Sequence, residues 1–305
     1  MNLRSLPVIA LALITTFTAC KKEAQQTEDN ATEVQGHSED QSQVSEDMDE
    51  VANDANIALE SNPSFGGRLS NTNSICGATA VADTMSNPRT ITITYNGNNC
   101  AGTHLRTGTV VLSMPANTRW KNAGAAITVS FQNLKIKRLR DNKSITINGS
   151  QTLTNVSGGL LINLPTLQNI VHTITSSNMS ITFNDNTQRT WQVGRKRTFT
   201  YSNGVVVTIT GIGVTGNVTN ATEWGTNRFG HSFVTSISQP LVVRQDCNGR
   251  LTSGEITHQG FATATATFGL NASGVATTCP GTGTYYYKLV WTGPGGNSHS
   301  VILPY

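Results

Sequence analysis

Thr90-Ile91-Thr92-Ile93-Thr94-Tyr95 alternates strictly between hydroxyl and apolar side chains, and is followed by Asn96-Gly97 and Cys100-Ala101-Gly102-Thr103. Alternation of this kind puts Ile91, Ile93 and Tyr95 on one face and the threonines on the other, the pattern of a half-buried strand. Cys76 precedes it. The same order returns near the other end of the chain: Cys247, then Ala262-Thr263-Ala264-Thr265-Ala266-Thr267-Phe268, Gly269, and Cys279-Pro280-Gly281-Thr282. Each copy reads cysteine, threonine-alternating strand, aromatic, glycine, Cys-x-Gly-Thr.

Outward from these two frames, the chain from about Gly66 reads as all-β. Thr, Val, Ile and Asn are abundant, and alternating runs recur at Thr107–Met114, Ala126–Ile136, Ser144–Leu153 and Val205–Thr210. Asn96-Gly97, Asn148-Gly149, Asn203-Gly204, Asn248-Gly249 and Gly295-Gly296 are spaced between runs as turn signals. Short strands with such turns predict antiparallel sheets, in a β-sandwich or an extended β-meander. Two cysteine frames suggest two similar lobes, 66–164 and 165–305, divided near Pro165.

The N-terminal segment has a different character. Arg4 and the apolar run Leu6–Ile14 are too short to span a bilayer, and they end in Phe17-Thr18-Ala19-Cys20. This resembles a bacterial lipoprotein signal, which implies cleavage after residue 19 and acylation of Cys20. Several acyl chains on one cysteine give stable membrane anchoring. Cys20 apart, four cysteines remain in an exported chain, where disulfides persist. Four cysteines allow three pairings; the repeat favours Cys76–Cys100 and Cys247–Cys279, each stabilising by about 3–4 kcal/mol on the chain-entropy account. No Cys-x-x-Cys or paired-histidine spacing supports zinc, and neither metal nor cofactor is expected.

Charge is partitioned sharply. Residues 21–60 carry 12 acids against two lysines, net −10, while residues 61–305 carry 18 Lys and Arg against six acids, net +12; with Arg4 these give the whole-chain +3. Residues 20–65 therefore read as an acidic, disordered tether able to span roughly 35–40 Å. Val44, Met48, Val51, Ala55 and Leu59 fall near helical spacing and mark a short helix within it.

The order Cys76, Thr90–Tyr95, Gly97, Cys100-Ala-Gly102, Arg106-Thr-Gly108, followed later by Pro240-Leu241, Cys247 and Ser253-Gly254, resembles a group of uncharacterised Bacteroidota outer-membrane lipoproteins. Cys20-Lys21-Lys22-Glu23 is similar to the surface-export signal of that phylum, and Asp83-Thr84-Met85 to its O-glycosylation pattern, on Thr84. The resemblance implies a lipid-anchored outer-membrane protein, exposed at the cell surface, and names no activity.

Six acids in the body (Asp83, Asp141, Asp185, Glu223, Asp246, Glu255) make acid–base catalysis a poor expectation, no Gly-x-Ser-x-Gly elbow is present, and His104, His172, His231, His258 and His299 stand singly. No catalytic residue is assigned. The clearest chemical signal is basic: Lys135, Lys137, Arg138, Arg140 and Lys143, then Arg195-Lys196-Arg197. Such clusters attract polyanions such as lipopolysaccharide, acidic polysaccharide or DNA. Two readings compete with this, protection of sheet edges and pairing with the acidic segment. Tyr285, Tyr287 and Trp291 share one strand face and form a sugar-stacking platform if exposed, or core if buried. The expected protein is a non-catalytic binder of an anionic glycan; the alternative is a structural or assembly component with an envelope protein partner.

Overall fold

The computed structural model describes residues 20–67, 75–277, 279, 283–292 and 296–305; the expected signal segment 1–19 lies outside the described residues. A long helix, α1 (Cys20–Glu60), is followed by sixteen strands hydrogen-bonded into one sheet. The first five are β1 (Ala78–Asp83), β2 (Arg89–Asn98), β3 (His104–Met114), β4 (Ala125–Arg138) and β5 (Ser144–Asn155). The middle of the sheet is β6 (Ile170–Ser176), β7 (Met179–Phe183), β8 (Gln188–Tyr201), β9 (Val205–Gly211), β10 (Gly213–Thr215) and β11 (Val218–Thr226). The last are β12 (Ser232–Arg244), β13 (Arg250–Gln259), β14 (Thr263–Leu270), β15 (Tyr286–Thr292) and β16 (Ser298–Pro304).

Every pairing is antiparallel and the sheet runs in chain order, so the meander expected from the turn spacing is the architecture. Two lanes are shared. β6 and β7 lie end to end between β5 and β8, and β9 and β11 do the same between β8 and β12, with β10 folding back on β11. The division into lobes near Pro165 is not a boundary in this sheet. β5 pairs directly with β6 across it, and one apolar core runs from Val44 to Phe233.

Residues 20–65 do not form the expected tether over their second half. From residue 33 onward α1 lies against the inward face of the sheet, with Val44, Met48, Val51, Ala55 and Leu59 all at most 3% exposed. Each of these but Ala55 contributes about 1.5–3 kcal/mol through its burial. The reason the composition misled is that α1 buries acids as well. Asp40, Asp47 and Asp54, spaced by seven, are buried on α1, where the sheet supplies arginines to most of them. Arg106 of β3 donates to Asp54 at 2.7 Å. Arg195 and Arg197 of β8 both reach Asp49, Arg195 also pairs with the buried Glu223 of β11, and Arg228 is bidentate on Asp40. Among the described residues, acids of the −10 segment therefore pair with arginines of the +12 body inside the fold.

A single sheet can wrap a helix only if its long strands bend, and a line of bulges crosses them. Gly108 of β3 (φ +106°) faces two residues of β4, Asn133 (φ +50°) and Leu134. Asn133 N–H donates to Asn148 Oδ1 at 2.8 Å, and Gly149 (φ +113°) packs against Asn178 and Met179 in the next lane. Bulges of this type bend and twist the strand that carries them. Asn148-Gly149 and Asn96-Gly97, expected as turns, are therefore interior to β5 and β2. A Cβ on Gly108 would meet the Asn133 carbonyl in a conformation closed to L side chains. Gly108→Ala is expected to cost at least about 2 kcal/mol in urea unfolding; a loss under half that would mean β3 straightens freely.

Both expected disulfides are present, Cys76–Cys100 and Cys247–Cys279, with Cα separations of 5.1 and 4.9 Å.

Candidate functional site

The first cysteine frame builds a cleft. Cys76–Cys100 ties the start of β1 to the turn between β2 and β3. Asn99, 8% exposed, organises that turn: its Oδ1 accepts from Thr103 N–H (2.8 Å) and His104 N–H (3.1 Å), and its Nδ2 donates to Thr103 Oγ1 (3.1 Å). Leu139 N–H donates to the Thr103 carbonyl at 2.9 Å, so the end of β4 is clamped to the same turn. Between them lies a cleft of about 430 Å³ lined by Glu46, Gly102, Thr103, His104, Arg138, Leu139 and Arg140.

The chemistry of the walls is mixed. His104 Nδ1 lies 2.9 Å from Thr103 Oγ1, and its Nε2 faces Asp47 Oδ1 at 3.6 Å. Asp47 is 1% exposed, has no hydrogen-bond partner at either oxygen, and is raised to about 8 by burial, with Glu46 and Glu50 adding to the effect. Arg138 is held bidentately by Asp141 (3.1 and 2.6 Å), which drives that carboxyl down to about 2 and keeps the pair ionised. Arg140 is exposed and makes no ion pair among the described residues. The site thus offers the Arg140 guanidinium, the Thr103 hydroxyl and the exposed carboxylate of Glu46, with the buried His104 ring behind the hydroxyl. That set suits a single carboxylate or phosphate flanked by hydroxyls, and is too small and too balanced for a long polyanion.

The expected polyanion set is dispersed. Arg195 and Arg197, both 7% exposed, face α1, and Lys143 donates to Glu39 at 2.9 Å. Lys135 and Lys137 lie on the outward face of β4, opposite Thr146 and Ser144 of β5, while Lys196 is exposed far along β8, opposite Thr173. Of the eight, only Arg138 and Arg140 line the cleft. The physical reason is phase. Arg189, Trp191, Val193, Arg195, Arg197 and Phe199 all occupy the inward positions of β8, so two of three consecutive basic residues serve the core.

The aromatic face does not form an open platform. Tyr285 is 1% exposed, Tyr287 packs against Phe268 and Tyr305 (5.7 and 6.0 Å between ring centroids), and Trp291 stacks on His299 at 5.4 Å. Thr84 lies in an exposed turn closed by Asp83, whose carboxylate accepts from Met85 N–H and Ser86 N–H and Oγ. Asp246, Cys247 and Cys279 fall within 4.8 Å of one another, but the sulfurs are bonded together and Asp246 pairs with Arg244. Sequence reasoning missed Glu46, Asp47, Thr103 and His104. The two acids lay in the supposed tether, although Asp40, Asp47 and Asp54 at heptad spacing beside an apolar stripe were a usable signal.

The fold and cleft together define a single-sheet β meander curved around an acidic core helix, with a cleft of mixed lining at the first disulfide. Compared with protein-family models, curated proteins and solved structures, the chain matches none. Among the described residues, no helix is long and apolar enough to cross a membrane.

Proposed function

We propose that the chain is a lipid-anchored outer-membrane protein, displayed at the cell surface through acylated Cys20, whose non-catalytic β body binds an anionic glycan. The observation that supports this reading most is Arg140, an exposed guanidinium without an acid partner, set beside Thr103, His104 and Glu46 in a preformed cleft. A uronic acid or sugar phosphate at a chain end has the matching chemistry: one anionic group for Arg140, and hydroxyls for Thr103 and Glu46. Binding by a basic ridge is not the favoured form, because Lys143, Arg195 and Arg197 are spent on the helix, Arg138 on Asp141, and the other basic residues are spread over the sheet.

A charge-assisted hydrogen bond of this kind is worth about 1.5–3 kcal/mol, so Arg140→Gln is expected to weaken binding of an acidic oligosaccharide at least tenfold. Lys196→Gln should leave it unchanged. Calorimetry with oligouronates and their methyl esters tests both; equal affinity for the neutral ester, or an indifferent Arg140→Gln, would overturn the reading.

The second reading, a structural or assembly component, draws support from β1. This edge strand, Ala78–Asp83, is exposed on both faces from Thr79 onward, Val81 is 68% exposed, and Asp83 at its end is its only charge. Unguarded edges invite a strand from a partner. Protease shaving of intact cells distinguishes a surface from a periplasmic address.

A further inference from the structure

The cleft at the first disulfide is electrically two-sided. Its α1 wall carries the carboxylate of Glu46, exposed and without an ion pair or side-chain hydrogen bond among the described residues. The turn between β4 and β5 presents Arg140, exposed and likewise unpaired. Both line the same cleft of about 430 Å³ and they do not pair with one another. A carboxylate and a guanidinium therefore face a ligand from different walls.

The charges around them are already answered. Arg138 feels Glu46, but its donor arms are taken by Asp141 at 3.1 and 2.6 Å. Lys143 donates to Glu39 at 2.9 Å. Arg106 answers both Glu50 and Asp54, at 3.4 and 2.7 Å, so the α1 wall has no positive charge to spare for Glu46. Asp47 is held neutral up to about pH 8 by burial, and Glu46 and Glu50 add to that upward push, which marks this wall as the negative side. Across the cleft Arg138 and Arg140 oppose Asp141 and Glu46, and the lining sums to zero. A lone anion on Arg140 would leave one negative charge in excess. A hydroxyl over Glu46 would give the carboxylate a hydrogen bond while displacing the water that solvates its charge. An ammonium brings the donors and the counter-charge together.

We infer, on the reading of this cleft as an acidic-glycan site, that the sugar it takes is zwitterionic: a residue with a free amine beside its carboxylate or phosphate, the anion on Arg140 and the ammonium on Glu46. An N-acetylated sugar offers Glu46 only an amide N–H, and a plain uronic acid only hydroxyls.

The test is calorimetry on the full mature chain at pH 6.5, where an amine titrating near about 8 is charged. The probes are the methyl glycosides of a 2-amino-2-deoxyuronic acid, of its N-acetyl derivative and of the plain uronic acid. The free amine should bind about fivefold more tightly than the N-acetyl form, the upper range for an exposed charge pair. Glu46→Gln, a change at an exposed position, should bring that ratio to one. Arg140→Gln should weaken both forms and keep the ratio. Equal affinity for the amine and N-acetyl forms, or a preference that survives Glu46→Gln, would overturn the inference and leave the acidic-glycan reading in place. Binding of none of the three probes would overturn both.

Discussion

Replacing Arg106 with methionine is expected to destabilise the protein by about 3–5 kcal/mol, the usual consequence of removing one partner of a buried pair. Arg106 is 1% exposed and holds together three parts of the fold. It donates to Asp54 of α1 at 2.7 Å and to the carbonyl of Cys76 at 2.8 Å, it lies 3.4 Å from Glu50, and it covers the Tyr95 ring at 4.7 Å. Methionine fills much of the same volume, so the loss is mainly electrostatic. The Asp54 carboxyl is already pushed upward by burial, and Arg106 is the main influence drawing it back. Without Arg106, only Tyr95 Oη, at 3.0 Å, still donates to it. The double change Arg106→Met with Asp54→Leu removes both charges and is expected to recover at least half of the loss. Urea unfolding of the two variants decides the matter. A single-variant loss below about 1 kcal/mol, or a double variant no better than the single, would mean that the seam between helix and sheet is not held by this pair.

The same seam explains how much could be read from the residues alone. Period-two alternation in Thr90–Tyr95 and its copy at Ala262–Phe268 correctly gave strands, and the repeated Cys frames gave the disulfides, because both are local patterns. Turn spacing gave antiparallel sheets but left sandwich and meander both open, and two of its five signals, Asn96-Gly97 and Asn148-Gly149, lie inside strands. The helix was legible only as an apolar stripe, Val44 to Leu59, since its acids were counted as solvated. Whether an acid is solvated depends on what faces it, and here the answer lay at least 50 residues away in Arg106, Arg195, Arg197 and Arg228. The strands did carry the complementary clue. His104 and Arg106 in β3, and Arg189, Arg195 and Arg197 in β8, occupy positions in phase with apolar neighbours, and a charge in a core phase requires a buried partner. The cleft was half visible: Arg138 and Arg140 stood in the basic cluster, while Glu46 and His104 became neighbours only through the packing of α1.

Asp47→Asn is expected to stabilise the protein at pH 8 and to do little at pH 4. With its folded pKa near 8 against an ordinary value of 3.8, Asp47 stays protonated in the native chain across a range where the unfolded chain has released that proton. The native state binds the extra proton, so stability falls as pH rises from 3.8 through about 8 and is fully lost above it. A shift of that size corresponds to a cost of the order of 5 kcal/mol at the alkaline end, which asparagine would not incur. Asp40, Asp54 and Glu60 are also raised by burial and add to the same limb. The acid limb has the opposite origin. Burial lowers His37 to about 2, His172 to about 3 and His258 to about 4, so the unfolded chain takes up protons below pH 6.5 that the native chain refuses, and stability falls as the pH drops. Wild-type protein should therefore be most stable near pH 6.5, whereas Asp47→Asn should keep its acid limb and lose most of the alkaline one. Denaturation midpoints from pH 4 to 9 separate this from the competing arrangement, in which a protonated His104, 3.6 Å away, holds Asp47 as a carboxylate. In that case Asp47→Asn would weaken the fold wherever the pair is ionised, because asparagine discards a buried ion pair where the first arrangement only removes an unmet charge.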